Sequence, residues 1–134
     1  MLNINLDKIT DLDFKTKEAY KTLRTNVQFC GNDVKIISLT SCVPNEGKSM
    51  VSFNLAISMA ETGKKVLFID ADLRKSVLIG RYKINKAIKG LTQYLSGVEQ
   101  LDDVRYSTNV KNMDLILSGP VPPNPAELLN NEKF

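Results

Sequence analysis

Two short apolar runs with a helical pattern between them constrain the fold of this chain most strongly. Residues 34–40 and 66–70 are short, rich in β-branched or large apolar side chains and bounded by turn residues, so each run predicts a buried strand. Between them, residues 47–62 repeat apolar side chains at helical spacing, and Gly63 follows at the position of a left-handed helix end. Strand, helix and strand in this order predict a βαβ unit with parallel strands. The pattern therefore indicates an α/β fold, with a mostly parallel sheet flanked by helices.

The remaining sequence predicts further helices and one more strand. We expect helices over residues 14–29, 91–95 and 101–106, a strand over 113–117, a helix beginning at 124–125, and a loop with one helical turn over 72–90. The length of 134 residues and the apolar content of 43% suit a single domain with one hydrophobic core. Within it we distinguish an N-terminal segment that carries the first helix, residues 1–31, from a core, residues 32–134.

Charge and composition exclude several classes of function. The net charge of +3 is spread along the chain, so a nucleic-acid surface is not required, and we expect no nucleic-acid partner. The absence of histidine excludes a Ser-His-Asp triad, and two cysteines alone cannot close a structural zinc site. No apolar run approaches the roughly 20 residues that cross a bilayer, and the first residues do not resemble a signal peptide. We therefore expect a cytoplasmic protein.

The turn between the first strand and the helix carries the pattern of a phosphate-binding loop. Its sequence, SCVPNEGKS at residues 41–49, ends in Gly-Lys-Ser directly before the helical pattern. In such loops glycine lets the backbone approach phosphate, lysine reaches the β and γ phosphates, and serine binds Mg²⁺. Cys42 stands where the first glycine of the full pattern belongs, and a chance surface turn is the alternative. The candidate nucleotide-binding residues are Pro44, Asn45, Glu46, Gly47, Lys48, Ser49 and Met50.

A second group of candidate residues follows the second strand. Asp70 and Asp72 stand in the sequence DADLR, at the end of a strand that should finish beside the phosphate loop. A carboxylate there can help to hold Mg²⁺, with Ser49 as the other candidate ligand, or accept a proton from an attacking hydroxyl. In an extended backbone, residues two apart face the same way, so both carboxylates could act together. The alternative is an acidic strand end that forms an ion pair with Arg74.

The first predicted helix carries a charged stripe. Glu18, Lys21 and Arg24 follow one another at intervals of three residues, which places them on one face of the helix. Physical chemistry alone favours a solvated face, because exposed charges of this kind contribute little to stability. A surface that contacts another subunit is the alternative.

Five motifs spread along nearly the whole chain occur together in one known family. Their order is EAYKTLRTN, SCVPNEGKS, VLFIDADLRKS, GLTQYLSG and SGPVPPNPAELL. The chain thereby resembles the bacterial tyrosine kinases of capsular and exopolysaccharide synthesis. The resemblance implies a P-loop NTPase-like fold, ATP and Mg²⁺ as cofactors, and transfer of phosphate to protein tyrosines, those of the kinase included. It also implies that Lys48 and Ser49 bind ATP and Mg²⁺, and that Asp70 is the base for the acceptor tyrosine, supported by Asp72.

The resemblance further implies an assembly. In the family, a Glu-x-x-Arg-x-x-Arg motif joins subunits into a ring; Glu18 and Arg24 match this motif, while Lys21 departs from it. The resemblance also implies activation by a membrane adaptor of the polysaccharide chain-length regulator type. We therefore expect a homo-oligomer that lies in the cytoplasm, peripheral to the inner face of the cell membrane. Asn45 stands where the family usually has glycine, and Ser76 where it usually has proline.

Two features of the family do not occur in these 134 residues. One is a third nucleotide motif, an apolar strand that ends in aspartate after the proline-rich loop, and the other is a C-terminal tyrosine cluster. We therefore expect an incomplete sheet that corresponds to the N-terminal part of a longer kinase domain. Two other functions stay open. One is a partitioning-type ATPase, although Val43 replaces the extra lysine of that group, and the other is an inactive truncated module for assembly or nucleotide binding.

Overall fold

Short strands and helices alternate along the chain. The computed structural model describes residues 2–6, 12–43, 47–82, 84 and 88–134. Within these ranges the elements are, in chain order, β1 (Leu2–Ile4), α1 (Phe14–Phe29), α2 (Lys48–Ala60), β2 (Val66–Ile69), α3 (Leu78–Arg81), α4 (Leu91–Leu95), α5 (Leu101–Val104), β3 (Arg105–Thr108), β4 (Met113–Ile116) and α6 (Pro125–Leu129). None of these helices is long and apolar enough to cross a membrane.

The strands form one mixed sheet in the order β1-β3-β4-β2. β2 runs parallel to β4, with Ile69 opposite Ile116, and β1 runs parallel to β3. β3 and β4 are antiparallel and are joined by a turn in which Asn112 has a φ of 68°. Most strand pairings are thus parallel, which confirms the predicted α/β class with a mostly parallel sheet flanked by helices.

β4 separates two apolar cores. Met113 and Leu115 pack on one face of the sheet with Phe53 of α2, and Ile116 packs on the other face with Leu95 of α4. This alternation has the two-residue period of a strand, so one strand supplies side chains to both cores. β2, by contrast, is covered on only one face, where Val66 and Phe68 pack against the core that contains Phe53.

α2 confirms the helix predicted over residues 47–62. Its Phe53 side chain is 1% exposed and meets the Phe68 ring of β2 edge-on, with ring centroids 5.2 Å apart. Tyr82 also contacts the Phe53 ring, at a centroid distance of 4.7 Å. Burial of a phenylalanine side chain contributes roughly 1.5–3 kcal/mol. This aromatic cluster therefore anchors α2 on the sheet.

Residues 34–40 do not form the predicted buried strand. They are irregular and mainly exposed, and Ile36 is 91% exposed. A strand is stable only where a neighbouring strand completes its backbone hydrogen bonds. β2 bonds to β4 on one side, and no described strand lies on its other side. The prediction of a βαβ unit is therefore wrong for this structure, because α2 and β2 form but residues 34–40 do not pair with the open edge of β2.

The helix predicted over residues 101–106 is wrong for its last two residues. A single helical turn, Leu101–Val104, is followed directly by β3, which begins at Arg105. The reason is tertiary: Tyr106 is 5% exposed and stands opposite Leu115 of β4. Cross-strand pairing and burial outweigh the local helical pattern here.

The other predicted elements are confirmed. They are the helices over 14–29 and 91–95, the strand over 113–117, the single helical turn within 72–90, and the helix that begins at Pro125. β1 was not predicted, because three residues are too few for an alternating pattern to stand out. It is held to β3, with Ile4 opposite Thr108.

Two glycines, Gly90 and Gly119, allow two backbone segments to cross in close contact beside the end of β4. A Cβ atom added to Gly90 would lie 2.3 Å from the backbone nitrogen of Gly119, a distance that no real side chain tolerates. The N–H of Leu91 donates to the carbonyl of Leu117 across this crossing at 2.7 Å. The crossing ties the start of α4 to the end of β4.

Candidate functional site

α2 begins at a glycine with a left-handed backbone. Gly47 has a φ of 81°, and its carbonyl accepts from the N–H of Val51 at 2.9 Å, which closes the first turn. Other residues are strained at this φ. Gly47 offers no side-chain cap, and the first N–H groups of an α-helix have no partner inside the helix. This helix start is therefore suited to an anion such as phosphate.

The other phosphate-loop candidates fall partly within the described residues. Lys48 and Ser49 are half-buried in the first turn of α2, and Met50 is 45% exposed. The Gly-Lys-Ser triplet thus opens a helix. The remaining candidates, Pro44, Asn45 and Glu46, lie outside the described residues.

Asp70 extends the β2–β4 pairing by one residue and is 9% exposed. Its backbone N–H donates to the carbonyl of Ile116 at 2.9 Å. Asp70 follows the two-residue period of Val66 and Phe68, which pack in the core that contains α2 residues. The start of α2 lies at the same edge of the sheet as the end of β2.

The orientation of α2 follows from its other end. There the Asn112 side chain donates to the carbonyl of Ala60 at 3.3 Å, close to where β2 and β4 begin. α2 therefore runs back along β2, and its first residues lie near the end of β2. The charge of Lys48, which lowers the pKa of Asp70, agrees with this placement.

Several groups act on the Asp70 carboxyl in opposite directions. Burial has the largest effect and raises its pKa above the ordinary value, and the charge of Asp72 adds to this rise. Two hydrogen bonds and the Lys48 charge lower the pKa. Oδ2 accepts from the Ser76 hydroxyl at 2.5 Å, and Oδ1 accepts from the N–H of Asp72 at 3.2 Å. A carboxylate whose pKa is raised is a stronger base, which suits proton abstraction.

Asp72 does not lie beside Asp70 on an extended strand. β2 ends at Ile69, and Oδ1 of Asp72 accepts from the N–H of Lys75 at 2.9 Å and from that of Arg74 at 3.3 Å. Aspartate commonly stabilises turns in this way. Asp72 therefore shapes the loop after β2, and Arg74 meets it through the backbone rather than through a side-chain ion pair.

Ser76 contacts Asp70 although sequence patterns did not single it out as a functional residue. A serine six positions after Asp70 belongs to no periodic pattern, and its contact depends on the path of the loop. Its one signal in the sequence was the departure from the proline that the resembling family usually has at this position.

The charged stripe of α1 does not act as one surface. Lys21 and Glu18 form an exposed ion pair with a 3.1 Å separation of Nζ and Oε1. Arg24 instead reaches α2, where its Nη1 donates to the backbone carbonyl of Ser58 at 2.8 Å and to the Ser58 hydroxyl at 3.1 Å. Arg24 thus helps to hold α1 against α2 of its own chain.

Comparisons with known proteins place this chain in a family. Residues 34–121 match the family model described as an AAA domain. The chain is 49% identical over 120 residues to tyrosine-protein kinase CpsD of Streptococcus agalactiae, a match that covers 90% of this chain and 52% of that protein. It is 40% identical over 130 residues to tyrosine-protein kinase YwqD of Bacillus subtilis, a match that covers 96% of this chain and 54% of that protein.

The same similarity is found among solved structures. The kinase domain of Escherichia coli tyrosine kinase ETK matches with a TM-score of 0.85 at 34% identity, over 99% of this chain and 52% of that chain. The chain spans about half the length of the curated relatives it matches. These relatives confirm the resemblance to bacterial tyrosine kinases that the five motifs carry. Because the family model covers more than half of its residues, the chain belongs to the AAA domain family.

Proposed function

We propose that this chain is the N-terminal, nucleotide-binding part of an ATP-dependent protein-tyrosine autokinase that regulates capsular or exopolysaccharide synthesis. The observation that carries the proposal is the position of the buried Asp70 carboxyl at the sheet edge where Gly47 and Lys48 begin α2. The kinase names of the relatives support the reaction class.

The residues at this edge fit Mg-ATP. Among the described residues, no atom lies within 4 Å of the position where a Cβ of Gly47 would stand, so these residues leave a phosphate chain room to approach the helix start. Lys48 would neutralise β and γ phosphate oxygens, while Ser49 would bind Mg²⁺, with Asp70 as a second ligand directly or through water. When bound, Mg-ATP supplies the phosphoryl group, and the metal neutralises charge that develops on the phosphate oxygens.

Asp70 would accept the proton of the acceptor tyrosine. Burial raises its pKa and so its strength as a base, whereas the Lys48 charge and the two hydrogen bonds favour the ionised form that a base requires. Asp72 would support this step by holding the loop that follows Asp70.

The proposal includes a homo-oligomeric ring, activation by a membrane adaptor of the polysaccharide chain-length regulator type, and a cytoplasmic location peripheral to the cell membrane. Glu18 and Lys21 are exposed on α1 and available to a neighbouring subunit. Arg24 is already bonded to Ser58, so we propose that the ring contact uses mainly the other two charges.

Phosphotyrosine formation tests the proposal. The full-length protein that contains this chain is incubated with Mg-ATP and the cytoplasmic tail of the adaptor, and we expect tyrosine labelling that Lys48→Met abolishes. Lys65→Met is the matched control, because Lys65 is exposed just before β2, away from the start of α2, and we expect it to leave labelling unchanged. Labelling that survives Lys48→Met contradicts the assignment. ATP hydrolysis without phosphotyrosine identifies a partitioning-type ATPase, and failure to bind Mg-ADP in calorimetry identifies an inactive module.

A further inference from the structure

The loop after β2 passes over the sheet edge between two buried leucines. Leu73 is 3% exposed and packs with Ile116 in the core on one face of the sheet. Leu78 is 2% exposed and packs with Phe53 in the core on the other face. The residues between the two leucines must therefore cross the carboxyl end of β2. Ser76 lies on this crossing, so the packing of the loop determines where its hydroxyl lies.

The Ser76 hydroxyl closes this loop onto Asp70. It donates to Oδ2 at 2.5 Å, while Oδ1 accepts from the N–H of Asp72. Both oxygens of the buried carboxylate are thus bonded to donors of the same loop, which restricts the side chain to one orientation. Hydrogen bonds from a hydroxyl group to an ionised carboxylate are among the stronger hydrogen bonds in proteins.

We propose that Ser76 is a positioning residue, whose hydroxyl holds the Asp70 carboxylate in the orientation that receives the proton of the acceptor tyrosine. The inference rests on the proposed function, because the role of Asp70 in phosphoryl transfer is what makes its orientation matter. Ser76 acts through Asp70. Displacement of a catalytic group by about 1 Å can lower a rate by about 100-fold, so loss of this hydrogen bond has a measurable effect.

Steady-state kinetics of the full-length protein with Mg-ATP and a tyrosine-containing acceptor peptide test this role. We expect Ser76→Ala to lower kcat by about tenfold and to change KM for ATP by less than about twofold. Ser76→Thr keeps the hydroxyl and should restore kcat to within about threefold of the original value. Ser96→Ala is the matched control, since the Ser96 hydroxyl is exposed and donates to the carbonyl of Gln93. We expect this control to change neither constant.

A second readout needs no activity. In nucleotide-free protein labelled with carbon-13 at aspartate carboxyls, the Asp70 signal is assigned by its loss in Asp70→Asn. We expect Ser76→Ala to move this signal and Ser96→Ala to leave it in place. An unmoved signal in Ser76→Ala overturns the contact. An active wild-type protein with an equally active Ser76→Ala variant overturns the positioning role alone, whereas a wild-type protein that makes no phosphotyrosine overturns the proposed function itself.

Discussion

Residues 34–40 and 66–70 have similar compositions, but the first run is exposed and irregular whereas the second forms a paired strand. Both runs, VKIISLT and VLFID, are short and dominated by apolar side chains. The second run forms β2, which pairs with β4 and is covered by Phe53 of α2. The first run is irregular, and Ile36 is 91% exposed. Because composition is alike, the difference lies in the neighbours: a strand forms where another strand and a covering helix are present.

The burial of side chains decreases from β4 to β2 and from β2 to residues 34–40. β4 is covered on both faces, as Leu115 and Ile116 are fully buried on opposite sides of the sheet. β2 is covered on one face only, and Leu67 and Ile69 on its other face are 45% and 43% exposed. Residues 34–40 have neither cover nor strand partner among the described residues. The same substitution should therefore lower the free energy of unfolding more in β4 than in residues 34–40.

The largest expected contrast uses two isoleucines. Ile116→Ala removes a side chain that is 1% exposed and leaves a cavity, so we expect a loss of about 2–5 kcal/mol in the free energy of unfolding. Ile36→Ala should change it by less than about 0.5 kcal/mol. Urea unfolding followed by circular dichroism measures both. A loss above 2 kcal/mol for Ile36→Ala contradicts the exposure of residues 34–40.

A glycine pair sharpens the comparison at the end of β4. Gly90→Ala places a methyl group against the backbone of Gly119, and we expect a loss of about 1–3 kcal/mol or failure to fold. The matched control is Gly80→Ala in α3, where the added methyl group meets no atom of the described residues within 4 Å and should be neutral or stabilise by less than about 1 kcal/mol. Thermal unfolding measures both. Equal melting temperatures for the two variants would show that the crossing is not tight.

Substitutions of two charged residues of α1, Arg24 and Lys21, test whether Arg24 holds this helix against α2. α1 has no fully buried residue, so the bonds of Arg24 to Ser58 are an anchor on α2. We expect Arg24→Ala to lower the free energy of unfolding by about 1–3 kcal/mol. Lys21→Ala breaks only the exposed ion pair with Glu18 and should matter by less than about 0.5 kcal/mol. Hydrogen exchange of α1 amides resolves the difference, and equal protection in the two variants contradicts the anchor.

The smallest expected change concerns the slope of stability with pH. Burial raises the pKa of Asp70, so the folded state binds this proton more tightly than the unfolded state. Stability from this group is therefore greatest below its ordinary pKa and declines as the pH rises through the raised value. We expect Asp70→Asn to lack this decline and to be more stable than the original protein near neutral pH.

An opposite sign is expected at Asp13, which caps α1. Its Oδ1 accepts from the N–H of Thr16 at 2.7 Å, and this bond lowers the pKa of Asp13. Asp13→Ala should therefore lower stability above the ordinary pKa and have less effect in acid. Urea unfolding from pH 3 to pH 8 compares both variants, and slopes of the same sign contradict the assignment.

Periodicity in the sequence predicts the long elements and fails on short or context-dependent ones. α1 and α2 show the helical repeat over several turns, and β2 and β4 are apolar runs that find partners. β1 has only three residues, and the four residues of β3, RYST, are mostly polar, so neither strand shows the apolar run that marks the equally short β2 and β4. Residues 34–40 are predicted as a strand for the same reason as β2, and only the tertiary structure separates them.

In the candidate site, too, the sequence predicts features that depend on local residues and misses those that depend on tertiary packing. The phosphate-loop pattern predicts that Lys48 begins a helix, and the apolar run before Asp70 predicts a strand end, because both signals are local. The turn of Asp72 was not predicted, since its carboxylate was assumed to continue an extended strand. The contact of Ser76 depends on how the loop packs between the two cores, and no local pattern encodes that path.

β1 has a consequence for synthesis of the chain on the ribosome. The N–H of Leu6, just beyond β1, donates to the side chain of Asn109, which lies 103 residues further along. At about 5–20 residues per second, the first residues wait roughly 5–20 s before their partners are made. During that time Ile4 and Leu6, which end at 5% and 2% exposure, remain without their native cover. The β3–β4 hairpin is local and can form as soon as it emerges, so β1 pairs with β3 only after about a hundred further residues have been made.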